Sequence, residues 1–401
     1  MHILESFAIN SGSKIDKPYI YDTYIPLQWN TEKYITFQPF GTWPRGQAKQ
    51  YSYWEEVMDI LRPIFDSNGI HIVQIGSKGE PPIKGVMNMI GKTTLNQAAY
   101  LIKNSLLHLG LDSFGVHMAS GYGKKIVALY SNGLPATCGP YWSDEKDVRL
   151  ICSVKEGEQP SWCEHENPKT IDRIKAEEVA RGVCELLDLN FDYEFETLYI
   201  GKEYAQKRIE VVPTNHIGNW KDFGVDSLIL RMDKHFSEEM CAAQLEKCHC
   251  SIVTDKPVRL DLIKHYKKRI AELVFIVKNS EHIDYLKTAK SLGVKLFLIS
   301  HLETEEFNKL KLDYIDVSRI VHFPRPNKEE FMKQHKDVDF NDLYYKSGTT
   351  IIRDKSIYGS YSPQDKEPVN YVKGSRPRKF NDCPELWKDL EKLLILKKKT
   401  S

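Results

Sequence analysis

The sequence predicts an α/β protein of two Rossmann-like domains facing a cleft, and three observations carry that reading. From residue 34 to about 200, short β-rich runs alternate with amphipathic helical stretches, the pattern of βαβ units on a mainly parallel sheet. The same alternation recurs from about 205 to 325. Runs such as Leu273 to Val277 lack polar alternation, which implies strands buried on both faces. The expected organisation is an N-terminal arm at 1–33, a first domain at 34–203, a second at 204–325, and a wrapping tail at 326–401 that ends in a helix.

In the first domain the candidate strands are YITFQPF, IHIVQIG, LLHLGLDS, KIVALYS and VRLICSV. Between the first two, Trp54, Val57, Met58, Ile60, Leu61 and Ile64 recur at near-helical spacing, giving an amphipathic helix interrupted near Pro63. Thr94 followed by Gln97 forms a capping box, so the next helix starts at about Leu95. AEEVARGVCELLDL closes the domain as a helix. The second domain offers six strands, RIEVVP, DSLILRM, HCSIVTD, ELVFIVK, VKLFLIS and SRIVHF, with helices at SEEMCAAQLEKC, VRLDLIKHYKKRI and IDYLKTAKSLG. The last segment, ELWKDLEKLLIL, reads as a helix.

Composition narrows the function. With 56 Lys and Arg against 55 Asp and Glu, the net charge of +1 provides no global field to attract nucleic acid or an anionic bilayer. No apolar run approaches the roughly 20 residues that span a membrane, and the first residues lack the layout of a signal peptide, so a cytoplasmic location is expected. Eight irregularly spaced cysteines read as reduced thiols. Cys241, Cys248, His249 and Cys250 contain no CxxC pair, and no metal site is expected. IGKTT at 90–94 is not a phosphate loop, because five residues separate Gly85 from Gly91 where that motif has four.

Two doubly wound domains place strand ends around a cleft that usually receives a nucleotide-bearing ligand. The most informative segment is LDSFGVHMASGYGKKIVALY. Asp112 and Ser113 end a strand, Gly115 lets backbone pass close, and a helix opening near Val116 carries His117 in its first turn. A helix start offers free N–H groups and a positive dipole end suited to a diphosphate.

The segment resembles the donor-sugar half of the heptosyltransferase-type glycosyltransferases, family nine. Asp112, Ser113, His117, Gly123, Lys124 and the VALY strand match that family's motif, with Phe114 where glycine is usual. Upstream, ITFQPFGTWPRGQAKQYSYWEE looks like the family's strand, phosphate loop and helix. The resemblance covers about 34–190 and implies a GT-B fold, metal-independent inverting transfer, and no cofactor besides a nucleotide-diphosphate sugar donor. It nominates Thr42, Arg45 and Lys49 for the donor phosphates, Glu80 for the ribose, and Asp112, Ser113, Gly115 and His117 beside them.

In the family the acceptor half comes first, whereas here the donor-like half opens the chain. Either 205–325 supplies the acceptor half in permuted order or the second domain does something else. The base that activates the acceptor is sought at strand ends, where Asp233 and His216 are the nominated residues. The acceptor is a glycan, a lipid-linked sugar or a nucleic-acid base, the last served by Arg376, Arg378 and Lys379. A non-catalytic nucleotide-sugar-binding or assembly protein is the alternative.

Overall fold

The computed structural model describes residues 1–27, 33–41, 45–206, 208–214, 227–324, 328–336, 338–361, 376–380 and 383–399. The chain divides into two compact units, Met1–Glu194 and Phe195–Ser401. Both are α/β, each centred on a largely parallel sheet.

In the first unit, strands β1 (Tyr34–Gln38), β2 (His71–Gln74), β3 (Met87–Asn88), β4 (Leu107–Leu111), β5 (Lys125–Tyr130) and β6 (Val148–Cys152) lie in the order β3-β2-β1-β4-β5-β6, all parallel. Winding reverses between β1 and β4. That reversal opens a crevice beyond the carboxyl ends of those two strands, the position where such sheets bind ligands.

Helix α1 (Ile3–Ser11) precedes the sheet, and α2 (Trp54–Asn68), α3 (Leu95–Asn104), α4 (Phe114–Gly121), α5 (Pro135–Cys138) and α6 (Ala176–Leu186) follow within it. α2 covers one face, with Trp54 packed edge-on against Phe37 at 5.0 Å. Residues of α3 and α4 close the other over Tyr34, Val73 and Ile126. The Thr94–Gln97 capping box forms: Thr94 accepts from the Gln97 N–H at 3.3 Å and Gln97 returns the bond at 2.9 Å. α2, however, runs unbroken through Pro63. Trp54, Val57, Met58, Ile60, Leu61 and Phe65 are buried on both sides of the proline, and that packing outweighs the missing backbone bond.

The second unit begins with β7 (Phe195–Ile200), inside the stretch expected to close the first domain. All six expected strands then follow as β8 (Arg208–Val211), β9 (Ser227–Arg231), β10 (Cys250–Thr254), β11 (Ile270–Ile276), β12 (Leu296–Ser300) and β13 (Ile320–His322), laid side by side in chain order. Helices α7 (Glu238–Lys247), α8 (Leu260–Tyr266), α9 (Ile283–Ser291) and α10 (Thr304–Asp313) alternate with them. Leu273, Phe275, Ile276 and Val277 are buried and Val274 partly so, close to the expectation for that run, whereas burial alternates along β9 and β10, so only one face of these two strands is fully covered. The reason is topological. Crossovers of one hand that all step in the same direction leave their helices on a single face.

After α11 (Lys328–Gln334), residues beyond 325 supply β14 (Leu343–Ser347), β15 (Thr349–Arg353), β16 (Ser356–Tyr358), β17 (Arg378–Lys379), α12 (Pro384–Lys388) and β18 (Leu393–Lys398). β15 joins the parallel sheet beside β8, while β17-β14-β18-β7 form a separate antiparallel sheet. The expected terminal helix is thus only five residues long and gives way to a central strand. Leu393, Leu394, Ile395 and Leu396 are all buried, an arrangement a strand covered on both faces permits and a one-sided helix does not.

Candidate functional site

The crevice at the β1/β4 reversal gathers three of the nominated residues. Lys49 ends a 3-10 turn whose neighbour Ala48 is fully buried, its N–H bonded to Glu164 O at 2.9 Å and its carbonyl accepting from Ser131 Oγ at 3.1 Å. That anchorage delivers the Lys49 ammonium to Asp112, with Nζ 2.5 Å from Oδ2. The other carboxylate oxygen lies 3.9 Å from His117 Nε2. Lys49 and His117 side chains remain about a third or more exposed, at 34% and 40%, so both groups stay accessible. Burial pulls the His117 imidazole below its ordinary 6.5, opposed by Asp112 and assisted by His2 and Lys49. Cys138 was not nominated. Its thiol donates to Asp112 Oδ2 at 3.6 Å, and burial, with Asp112, pushes it up to about 11.

The start of α4 is organised differently from the expectation. Ser113 is the N-cap residue, yet its side chain caps nothing in the helix. Its hydroxyl donates to Gln38 Oε1 at 2.8 Å, and the Gly115 N–H donates to the same oxygen at 3.2 Å. A Cβ at Gly115 would lie 2.5 Å from that oxygen and 2.6 Å from His108 Nε2. The absent side chain therefore makes room for Gln38 and His108, and Gly115 is a packing glycine whose N–H is already spent, rather than a residue opened toward a ligand. The Val116 N–H bonds Ser113 O.

Glu80 stands beyond β2. It is 5% exposed, its Oε1 accepts from the Ser77 N–H at 2.8 Å, and its Oε2 has no hydrogen-bond partner among the described residues. A Cβ at Gly76 would sit 1.9 Å from Oε2, so glycine there is what seats the carboxylate. Burial raises its proton affinity, only partly offset by the Ser77 bonds. Gln74, buried at the end of β2, braces the same loop: its Nε2 donates to Pro81 O at 3.1 Å and its Oε1 accepts from the Ile83 N–H at 2.8 Å.

The remaining nominations separate. Arg45 is exposed upstream of Lys49, while Thr42 and His216 lie outside the described residues. Asp233 follows β9 in the second unit, where both its oxygens accept from the Arg231 guanidinium, at 2.7 and 2.8 Å. Arg231 also pairs with buried Glu210, which Lys392 reaches at 2.5 Å and the Tyr361 hydroxyl at 3.0 Å. Asp233 is thereby part of an ion-pair frame, its lone pairs committed to arginine instead of standing free for an acceptor proton. Arg376 and Lys379 are exposed and Arg378 half-buried. Among the described residues no cluster of three or more His, Cys, Asp or Glu is placed to hold a metal ion, and no helix is long and apolar enough to cross a membrane.

Sequence reasoning passed over Gln38 and Gln74. Their signal was present, since each is the polar residue closing an otherwise largely apolar buried strand, and a buried amide requires partners.

Residues 21–167 match the family model described as glycosyltransferase family 9 (heptosyltransferase). No curated protein matches the chain. Among solved structures, Escherichia coli ADP-heptose lipopolysaccharide heptosyltransferase II is similar at 22% identity over 46% of this chain and 51% of that one, with a TM-score of 0.31. A family 9 glycosyltransferase of Veillonella parvula is similar at 19% identity over 46% and 50%, with a TM-score of 0.32. The E. coli heptosyltransferase WaaC solved with ADP is similar at 17% identity over 45% and 54%, with a TM-score of 0.31. The chain spans about half the length of each of these proteins. The part of the chain that carries Lys49, Asp112 and His117 is thus the part that matches glycosyltransferase family 9, the heptosyltransferase family.

Proposed function

We propose that the protein is a glycosyltransferase that binds a nucleotide-diphosphate sugar in its first unit and transfers the sugar to an acceptor hydroxyl, without a metal and with inversion. The observation that carries this reading is the convergence of Lys49 and His117 on Asp112 at the strand-order reversal. Leaving-group departure needs fixed positive charge where the diphosphate develops its own negative charge. Lys49 supplies a cation there and His117 a titratable one. Arg45 extends this positive edge, and the unpartnered Glu80 oxygen suits a ribose hydroxyl, which would give it the donor it lacks. The second unit is assigned to the acceptor.

The test is calorimetric titration of the full chain with ADP, GDP, UDP and inorganic pyrophosphate, followed by donor hydrolysis and transfer assays beginning with ADP-heptose. Binding of at least one diphosphate that Lys49→Ala and His117→Ala both weaken supports the reading. Binding that neither substitution alters would remove it.

A further inference from the structure

Two buried glutamines hold the two loops on which the proposed donor site rests. The register pairs Phe37 with Gln74, so Gln38 and Gln74 belong to adjacent parallel strands and point to opposite faces of the sheet. Each ends its strand, each is nearly inaccessible, and each spends its amide on backbone of the following layer. Gln38 does for α4 what an N-cap side chain normally does for its own helix, accepting from the N–H of the second helical residue. Ser113, freed from capping, is tied to the same oxygen. The amino end of α4, and with it His117, is therefore tied to β1 as well as held by the Val116–Ser113 bond of its own connecting turn. Gln74 uses both ends of its amide to fix Pro81 and Ile83, which bracket the stretch next to Glu80.

We infer that Gln38 and Gln74 are positioning residues with separate responsibilities: Gln38 sets the diphosphate end of the donor site through Ser113, Gly115 and His117, and Gln74 sets the nucleoside end through the loop of Glu80. The inference rests on the reading of the first unit as a donor site. It goes further in dividing ligand recognition between two strand ends. Neither glutamine touches the ligand; each acts by denying its loop an alternative position, since a displaced loop would leave a buried amide unpaired.

The experiment compares inorganic pyrophosphate with the nucleoside diphosphate that the parent binds, titrated into the full chain carrying Gln38→Met or Gln74→Met, each close in volume to the parent. Gln38→Met weakens both ligands by the same factor, about tenfold. Gln74→Met leaves pyrophosphate unchanged and weakens the nucleoside diphosphate by about tenfold. General loosening of the fold would weaken both ligands in both variants alike, and that pattern, or no effect in either, overturns the inference. Lys49→Ala separates the two levels. If it leaves pyrophosphate binding intact, the site itself is misassigned; if it abolishes binding while Gln38→Met does not alter it, only the positioning role fails. A ligand-free measurement stands beside these: the His117 imidazole titration followed by NMR must shift in Gln38→Met and stay at the parent value in Gln74→Met. An unchanged midpoint in Gln38→Met overturns the role of Gln38 whatever the ligand data.

Discussion

Lys49 and Asp112, 63 residues apart in sequence, meet at 2.5 Å across the carboxyl ends of β1 and β4. Within the pair, the Asp112 carboxylate offsets the Lys49 ammonium. A diphosphate must therefore compete with Asp112 for the ammonium. Lys49→Ala is expected to weaken diphosphate binding by about 10- to 100-fold, the range for losing a charge-assisted contact. Asp112→Asn, which removes the competing anion while retaining shape, is expected to tighten pyrophosphate binding; calorimetry on the two variants measures both effects. Weaker binding in Asp112→Asn would show that the carboxylate organises the cations more than it occupies them.

His117 adds a pH dependence whose sign follows from its surroundings. Burial holds its imidazole below 6.5 in the free protein, so it is mainly neutral at pH 7. A diphosphate beside it favours the charged form, so binding takes up a proton. The advantage of the parent over His117→Ala in pyrophosphate affinity should widen as pH falls from about 7.5 toward about 5.5, the ligand's own protonation being common to both. Titrations in buffers of differing ionisation enthalpy read the proton uptake directly.

His108 predicts an acid sensitivity of the fold. It is fully buried between Thr36 and Gly115, and burial pulls its imidazole down to about 3. The unfolded chain protonates this histidine near 6.5 while the folded one stays neutral. The stabilising contribution is therefore complete above pH 6.5 and declines as pH falls from there toward 3, by at most about 1.4 kcal/mol per pH unit. Melting curves of the parent and His108→Gln between pH 4 and 7 should diverge in slope, the variant being the less pH-dependent.

Gly76 leads to a separate expectation for Glu80. An alanine there would put its Cβ 1.9 Å from a carboxylate oxygen that is itself buried. Gly76→Ala should cost about 1–3 kcal/mol by overpacking and weaken nucleoside diphosphate binding more than pyrophosphate binding. Gly76→Ala combined with Glu80→Ala, which vacates the space, should recover much of the stability in chemical denaturation without recovering affinity.

In the second unit, Glu210 is the buried anion around which Arg208, Arg231 and Lys392 assemble, and those cations hold its carboxyl far below the usual carboxylate range despite burial. Removing it strands buried cations. Glu210→Ala should destabilise the chain by about 3–5 kcal/mol. Glu305→Ala, which breaks an exposed pair with Lys309, should change stability by less than about 1 kcal/mol. Urea denaturation distinguishes the two cases.

Much of the first unit was legible because its evidence is local. The capping box at Thr94 and Gln97, the apolar runs of β1, β4 and β5, and the order Asp112, Ser113, His117 all lie within a few residues of one another. The misreadings arose where a distant segment decides. Leu393–Lys398 has a helix-compatible composition, and it is a strand because β14 and β7 flank it from some 50 and 195 residues upstream. Pro63 is a helix breaker locally, but buried side chains on both of its flanks keep α2 whole. Gly115 was assigned to a ligand, whereas the atom that fills its space belongs to Gln38, 77 residues earlier.

The amino-acid order alone determined five of the six strands of the first sheet, the six consecutive parallel strands of the second and the βα turn that carries Asp112 and His117, because periodicity, capping and turn chemistry act over one or two turns of chain. Only the folded arrangement decided that Lys49 pairs with Asp112, that Gln38 caps a helix it does not belong to, and that Asp233 is bound to Arg231. Those relationships depend on which strands become neighbours. Strand neighbours are selected by burial and hydrogen bonding summed over a whole sheet, a quantity that no short window of sequence contains.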